Sequence, residues 1–154
     1  MSDSRTFRDI LGRYPTGVTI VSAFFNGEAQ GVTVNSFASV SLDPPLVLWS
    51  IERATERYSL FREAETYAIN VLAADQADLA HACALSPDLK ACDASWTGEA
   101  APLLDGAIAH LTCRQAHVYA GGDHDIIVGE VLDMSAPREA KALTFCRGRY
   151  GQLG

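Results

Sequence analysis

The sequence predicts a mostly β fold, an antiparallel barrel with peripheral helices, on three observations. Runs rich in β-branched and aromatic residues recur along the chain of 154 residues. Turn signals such as Asn26-Gly27 and Gly121-Gly122 separate neighbouring runs, as is typical of hairpins. Regular β-α-β alternation is absent, and the predicted strands outnumber the predicted helices. The length suits a single domain over residues 1–154.

The N-terminal segment predicts an amphipathic helix capped by Ser4. Its apolar residues recur at the helical spacing i, i+3, i+4 and i+7, and they are Phe7, Ile10, Leu11 and Tyr14. Pro15 and Gly17 are expected to end the helix. The segment therefore presents one apolar face to a packing partner.

Three strands are predicted next. Residues 17–25 and 29–41 are β-branched runs joined by the Asn26-Gly27 turn, so they predict an antiparallel hairpin. Asp43-Pro44-Pro45 ends the second strand. The run "LVLWSI", residues 46–51, begins a third strand that is apolar enough to be buried on both faces.

The middle of the chain alternates predicted helices and strands. The charged stretch 52–65, "ERATERYSLFREAE", predicts a surface helix, and "TYAINVLA", residues 66–73, a strand. Asp75 is the expected N-cap of the next helix. The small and polar stretch from Ser86 to Ala101 predicts a long loop, with Trp96 as its anchor.

The C-terminal third predicts strands over residues 107–120, 125–136 and 142–147. Gly121-Gly122 separates the first two, and a glycine-rich tail follows the third. Together with the earlier strands, these complete the predicted antiparallel barrel.

One face of the predicted second strand is unusually polar. Alternation along a strand places five side chains on that face, namely Thr33, Asn35, Phe37, Ser39 and Ser41, and Val32, Val34, Ser36, Ala38 and Val40 on a core face. Burying hydroxyl and amide groups without partners costs free energy. The pattern leaves two explanations about even, a polar ligand or a hydrogen-bond network with neighbouring strands.

Composition excludes several classes of function. The formal charge is −7 with a pI near 4.9, and no run of Lys or Arg could follow a nucleic acid backbone. Neither a long apolar run nor an N-terminal leader is evident, so a cytoplasmic protein without a membrane span is expected. Rossmann, P-loop and nucleophile-elbow motifs are absent.

Metal and thiol chemistry are not predicted either. The four cysteines are scattered without a C-x-x-C pair, which favours reduced structural thiols. The histidines lack the close spacing of metal ligands. Asp123-His124-Asp125 could bind a cation, but a solvated hairpin turn is the more common explanation, and no metal site is expected.

Six blocks of the sequence resemble the flavin reductase-like family. They are "PTGVTIVSA", "GVTVNSFASVSLDPPLVLWSI", "YAINVLAADQADLA", "APLLDGAIAHLTC", "GGDHDIIVGEV" and "ALTFCRGRYGQL". The family comprises NAD(P)H:flavin oxidoreductases with an FMN-binding split barrel, including reductase components of two-component flavin monooxygenases. The resemblance covers nearly the whole chain except residues 86–99, and it implies an antiparallel split barrel of this type.

The resemblance implies a flavin site on the polar strand. Thr33, Val34, Asn35 and Ser36 would contact the ring and ribityl chain, and Ser50 and Ile51 would lie on the neighbouring strand end. Arg53 is the implied phosphate partner, together with Ser36 and backbone N–H groups. The loop "ERATER" has fewer Ser and Thr residues than that loop in many relatives, which leaves FMN and FAD both open.

The resemblance also implies the redox partner and the assembly. His124, in the G-D-H block, would orient the nicotinamide of NADH or NADPH, and Tyr150 would close over the site. No Arg cluster for a 2′-phosphate is evident, which favours NADH. A homodimer and a partner flavin-dependent monooxygenase are expected. Two alternatives stay open: a non-catalytic flavin- or haem-binding carrier or sensor, and a reductase that retains its flavin.

Overall fold

Seven strands of the computed structural model, which describes residues 3–153, form one antiparallel sheet in the order β3-β2-β6-β9-β10-β5-β4. A three-stranded sheet, β1-β11-β12, and a short pair, β7-β8, complete the strands of these residues. The strands are β1 Thr16–Gly17, β2 Thr19–Phe25, β3 Glu28–Val34, β4 Ala38–Leu42, β5 Pro45–Glu52, β6 Thr66–Val71, β7 Trp96–Thr97, β8 Leu103–Leu104, β9 Ala109–Gly121, β10 His124–Ser135, β11 Leu143–Cys146 and β12 Arg149–Gln152.

Helices lie around this sheet at three points of the described chain. They are α1 Ser4–Leu11, α2 Tyr58–Glu63 and α3 Ala77–Leu85, the last preceded by a 3₁₀ turn at Ala74–Gln76. None of the helices within residues 3–153 is both long and apolar enough to cross a bilayer. The twelve strands and three helices of the described residues confirm the prediction of a mostly β fold with few helices.

The predicted strand 29–41 is two strands at opposite edges of the large sheet. β3 ends at Val34 and pairs with β2, whereas β4 begins at Ala38 and pairs with β5. Only residues 35–37 connect them, so the sheet must roll until its two edges approach. The prediction of one continuous strand was wrong, because the alternating pattern persists across a point where the chain changes partner.

The rolled sheet encloses the first of two apolar clusters. Its largest fully buried side chains are Trp49, Tyr67 and Phe61, and the ring of Trp49 contacts the other two edge-to-face, with centroids 5.9 and 6.0 Å apart. Such offset aromatic pairs are favourable beyond the area they bury. β5 contributes Val47, Trp49 and Ile51, while its other face is only half-buried. The prediction that both faces of this strand are buried was therefore wrong for the single chain.

The second apolar cluster lies outside the barrel, beneath α3 and the small sheet. Its fully buried members include Leu72, Leu89, Leu104 and Leu143. Leu89 shows that the predicted loop 86–101 is anchored by more than Trp96, which is half-buried against the same cluster. Trp96 and Thr97 also form β7, paired with β8.

Helix ends differ from the predictions in ways that side-chain contacts explain. α1 is capped by Asp3 rather than Ser4, because the Asp3 carboxylate accepts the backbone N–H of Arg5 at 3.0 Å. α2 covers only part of the predicted 52–65 helix. Asp75 is not an N-cap, because it lies inside the 3₁₀ turn that precedes α3, and its carboxylate pairs with Arg138. The predicted apolar face of α1 exists, but none of the residues of α1 is buried within the chain.

Gly129 is the position where the barrel interior tolerates no side chain. A Cβ built there would collide with the Tyr67 hydroxyl and lie 3.1 Å from the Cβ of Cys113. Tyr67 and Cys113 are fully buried, so neither side chain can move toward solvent. The Tyr67 hydroxyl has no hydrogen-bond partner among residues 3–153. Its ring fills the space beside Gly129, and its polar atom adds no bond.

We predict that Gly129→Ala lowers the free energy of unfolding by about 1–3 kcal/mol, because it overpacks a closed core. Tyr67→Phe should cost little by itself and should restore part of the loss in the double variant. Urea denaturation measures all three. Gly17→Ala is the matched control, since no atom lies within 4 Å of a Cβ at that position. Equal losses in both Gly→Ala variants would contradict the packing argument.

Candidate functional site

Two adjoining clefts open where the barrel edges meet, and they share Thr33, Val34 and Asn35 as a common wall. The larger has a volume of about 250 Å³ and the smaller about 190 Å³. Each is below the range of roughly 300–1,000 Å³ that is typical of small-molecule sites, and the two volumes together fall within it. The clefts therefore lie directly on the residues where the chain crosses from β3 to β4.

The larger cleft gathers most of the residues predicted for the flavin site. Its predicted members are Thr33, Val34, Asn35, Ser36, Ser50, Ile51 and His124. The sequence did not single out three others that line it, Val32, Glu52 and Thr55. Tyr150 lies on the smaller cleft, and Arg53 lines neither.

Hydroxyl groups at the crossing hold the chain's own backbone. Ser36 Oγ accepts the N–H of Ser50 at 2.9 Å and lies 3.3 Å from the Ser50 carbonyl oxygen, which fastens the crossing to β5. Thr33 Oγ1 donates to the carbonyl of Ala80 in α3 at 2.7 Å. The polar pattern thus includes the hydrogen-bond network that the sequence left as one of two explanations.

Asn35 supports the other explanation, a polar ligand. Its side chain is exposed on the wall that both clefts share, and it has no hydrogen-bond partner within the described part of the chain. An amide offers one acceptor oxygen and two N–H donors. These groups match the edge of a planar heterocycle that carries both carbonyl and ring N–H groups.

His124 stands at the start of β10, on the wall facing the crossing. Its Nδ1 lies 2.7 Å from a carboxylate oxygen of Asp123, and the His124 hydrogen bond lowers the pKa of that carboxyl. With Nδ1 paired, Nε2 is the ring nitrogen left for a ligand. Glu52 lies opposite His124 across the β5–β10 ladder.

Arg53 is tied to a buried carboxylate instead of extending freely into solvent. Its Nε donates to Asp125 Oδ1 at 2.8 Å, and an Nη nitrogen lies 2.7 Å from the same oxygen. Tyr58 donates its hydroxyl to Asp125 Oδ2, and Arg62 lies 3.5 Å from that oxygen. The hydrogen bonds from Tyr58 and Arg53 lower the pKa of Asp125, which therefore stays ionised at neutral pH.

Arg57 fixes the same loop to α3. Its two Nη nitrogens donate to the carbonyls of Cys83 and Ala84 at 2.8 and 3.2 Å. These carbonyls end the helix, where a cation also complements the helix dipole. Arg57 is buried, so the arginine of the "ERATER" loop that sequence inspection passed over has a structural role.

Tyr150 lies on the smaller cleft because β11 and β12 form a C-terminal hairpin. Its ring packs against Phe145, with centroids 5.3 Å apart, and both rings line the cleft with Val18 and Ala84. Burial raises the pKa of the Tyr150 hydroxyl. The two rings are tilted by 57° relative to each other, and together they provide an apolar wall of the cleft that Asn35 also lines.

A wider groove of about 470 Å³ lies away from these clefts, between α3 and the 92–95 segment. Four carboxylates line it, those of Asp75, Asp78, Asp93 and Asp105. Such a concentration of negative charge disfavours a ligand that carries phosphate. Among the residues that the structure describes, no group of His, Cys, Asp and Glu is arranged to hold a metal ion.

The strand order and the clefts define the class of split antiparallel barrels with a ligand-sized cleft at the seam. A family model described as "Flavin reductase like domain" matches residues 11–154. The chain belongs to the flavin reductase-like family.

Three relatives illustrate the match. FMN reductase (NADH) SmoA of Agrobacterium fabrum is 45% identical over 153 residues, which cover 98% of this chain and 87% of the relative. The reductase subunit HsaB of a flavin-dependent monooxygenase from Rhodococcus jostii is 36% identical, covering 96% and 77%. An NADH:FAD oxidoreductase of Streptomyces globisporus, solved with NAD and FAD fragments, superposes with a TM-score of 0.92 at 37% identity, covering 99% and 93%.

These matches confirm the predicted family, the antiparallel split-barrel fold and the class of enzyme, an NAD(P)H:flavin oxidoreductase. The roles of the individual residues stay predictions. Sequence inspection considered Asp125 only as part of a possible cation-binding turn and passed over Thr55, because nothing in the sequence links either residue to the flavin site. Asp125 lies 72 residues from Arg53 and 67 from Tyr58, so only the fold brings these side chains together.

Proposed function

We propose that this protein passes hydride from NADH to FMN, with FAD as the alternative flavin, and supplies the reduced flavin to a partner monooxygenase. The observation that carries the proposal is the seam cleft, where seven predicted residues converge on one cavity. SmoA is named an FMN reductase that uses NADH, and HsaB a reductase subunit of a monooxygenase. Those names support the choice of donor, flavin and partner.

The residues of the two clefts fit a flavin. The exposed amide of Asn35 can pair with the polar edge of the ring, while Val34 and the Phe145–Tyr150 pair offer apolar contact to its faces. The flavin ring supplies the redox chemistry, accepting hydride at N5 from C4 of the nicotinamide. The chain's contribution is to align the two rings and to exclude other geometries.

His124 orients the nicotinamide nucleotide in this proposal. The carboxylate of Asp123 pairs with Nδ1, which leaves Nε2 for a ligand, and His124 lines the cleft. Nothing in the hydride step requires His124 to gain or lose a proton. Its substitution should therefore affect the use of NADH and leave flavin binding intact.

We predict that the purified protein oxidises NADH in air only when flavin is added. The rate should be higher with FMN than with FAD, and higher with NADH than with NADPH. His124→Ala should raise the KM for NADH or lower kcat by about tenfold, the effect of one lost hydrogen bond. Its Kd for FMN should not change. His117→Ala is the matched control, because His117 is exposed on the neighbouring strand β9.

Flavin binding without NADH oxidation would contradict the proposal and support a carrier or sensor. Turnover without added flavin, by protein that keeps its flavin through gel filtration, would instead support a reductase with resident flavin. Equal effects of His124→Ala and His117→Ala would remove the orienting role of His124 and leave the reductase activity in place.

We further propose a homodimer and a cytoplasmic location. α1 exposes Phe7, Ile10 and Leu11 by more than half, and β10 exposes Leu132 and Met134. Exposed apolar groups in such number are typical of a protein–protein interface. Sedimentation equilibrium should give about twice the chain mass, and a monomer at micromolar concentration would contradict this.

All four cysteines are free thiols, which supports a reducing compartment and hence the proposed cytoplasmic location.

A further inference from the structure

Asp125 is a buried carboxylate whose partners all come from one segment. Arg53, Tyr58 and Arg62 approach it from the chain between β5 and the end of α2, here called the 53–62 segment. The side chain of Asp125 is 7% exposed, and its backbone lies opposite Ile51 in the β5–β10 ladder. A carboxylate in this position is costly to bury unless charged partners compensate it.

The pairing fixes one edge of the Arg53 guanidinium and leaves the other edge unpaired. A guanidinium has five N–H donors in a rigid plane. Asp125 Oδ1 takes the Nε and one Nη donor, and the remaining donors have no other partner among the described residues. The Arg53 side chain is 42% exposed, so those donors are accessible.

Arg53 is a chain neighbour of residues that line the larger cleft, although its own side chain lines neither cleft. Arg53 lies between Glu52 and Thr55, and both of these residues line that cleft. Its backbone N–H is held by the carbonyl of Asp123 at 3.0 Å, next to His124. The guanidinium is thus anchored at its backbone and along one edge of its side chain.

We propose that Asp125 is a positioning residue, which holds Arg53 so that its free edge binds the phosphate group of flavin mononucleotide. This inference rests on the proposed function. Asp125 pairs with two guanidinium groups, those of Arg53 and Arg62, so its single negative charge does not neutralise both, although the carboxylates of Glu52 and Asp123 also lie near Arg53. Fixing a flexible arginine in advance lowers the entropy lost on binding, and this should raise affinity for a ligand that carries phosphate.

The test compares FMN with riboflavin, which has the same ring and ribityl chain but no phosphate. Flavin fluorescence titration gives both Kd values for the wild type and for Asp125→Asn. The expected result is an increase of about tenfold in the Kd for FMN, the size of one charge-assisted contact. The Kd for riboflavin should not change. If Asp125 had a purely structural role, Asp125→Asn would raise the Kd values for both flavins equally, and this result would overturn the proposal.

Asp75→Asn is the matched control, because Asp75 forms a second Asp–Arg pair, with Arg138, away from the clefts. It should leave the ratio of the two Kd values unchanged. Arg53→Ala, at a half-exposed side chain, should raise the Kd for FMN relative to that for riboflavin, as Asp125→Asn does. The double variant should show no larger change in this ratio than either single variant. An unchanged ratio in Arg53→Ala would overturn the proposal even if Asp125→Asn failed to fold.

Two further outcomes separate this inference from the function on which it rests. A wild type that binds FMN and riboflavin equally, yet oxidises NADH with either flavin, would overturn the inference and leave the reductase intact. An Asp125→Asn variant with a raised KM for NADH, measured with riboflavin as acceptor, would assign the guanidinium to the dinucleotide instead. A wild type that binds neither flavin would defeat both proposals.

Discussion

The short crossing between β3 and β4 is the constraint on which the rest of the structure depends. Val34 and Ala38 belong to opposite edges of a seven-stranded sheet, yet four Cα steps span at most about 15 Å. The same strands laid flat would put their outer members about 29 Å apart. The sheet must therefore roll up, and the edges meet without pairing because the crossing occupies the seam. The clefts lie at that seam, on the crossing residues themselves.

The polar groups at the crossing fall into two kinds, hydroxyls that bond to the chain's own backbone and an amide that does not. Ser36 and Thr33 fasten the crossing to β5 and α3, where their bonds compensate for partial burial. The exposed amide of Asn35, between them, has no hydrogen-bond partner among the described residues. The 53–62 segment on the opposite side follows the same logic, since Asp125 and the α3 carbonyls fix Arg53 and Arg57 before anything binds. Hydrogen bonds within the chain therefore hold the backbone in place on both sides of the clefts.

Sequence patterns predicted the elements that local chemistry determines. The Asn26-Gly27 turn has positive φ at both residues, as the predicted hairpin requires, and the long C-terminal strands are present. The break at residues 35–37 was not predictable from alternation, because small polar residues continue the pattern while the partner strand changes. The apolar face of α1 was predicted, but the described part of the chain buries none of its residues. Family resemblance supplied most of the cleft residues, whereas the contacts of Asp125 depend on long-range folding alone.

The central claim, that the seam of the barrel binds the flavin, is tested most directly by hydrogen–deuterium exchange of the protein with and without FMN. The account predicts slower exchange on FMN addition in residues 33–37 and 50–55 and around His124, with the remainder of the barrel little changed. Protection confined to the acidic groove around Asp78 and Asp93, or no protection at a saturating FMN concentration, would contradict it.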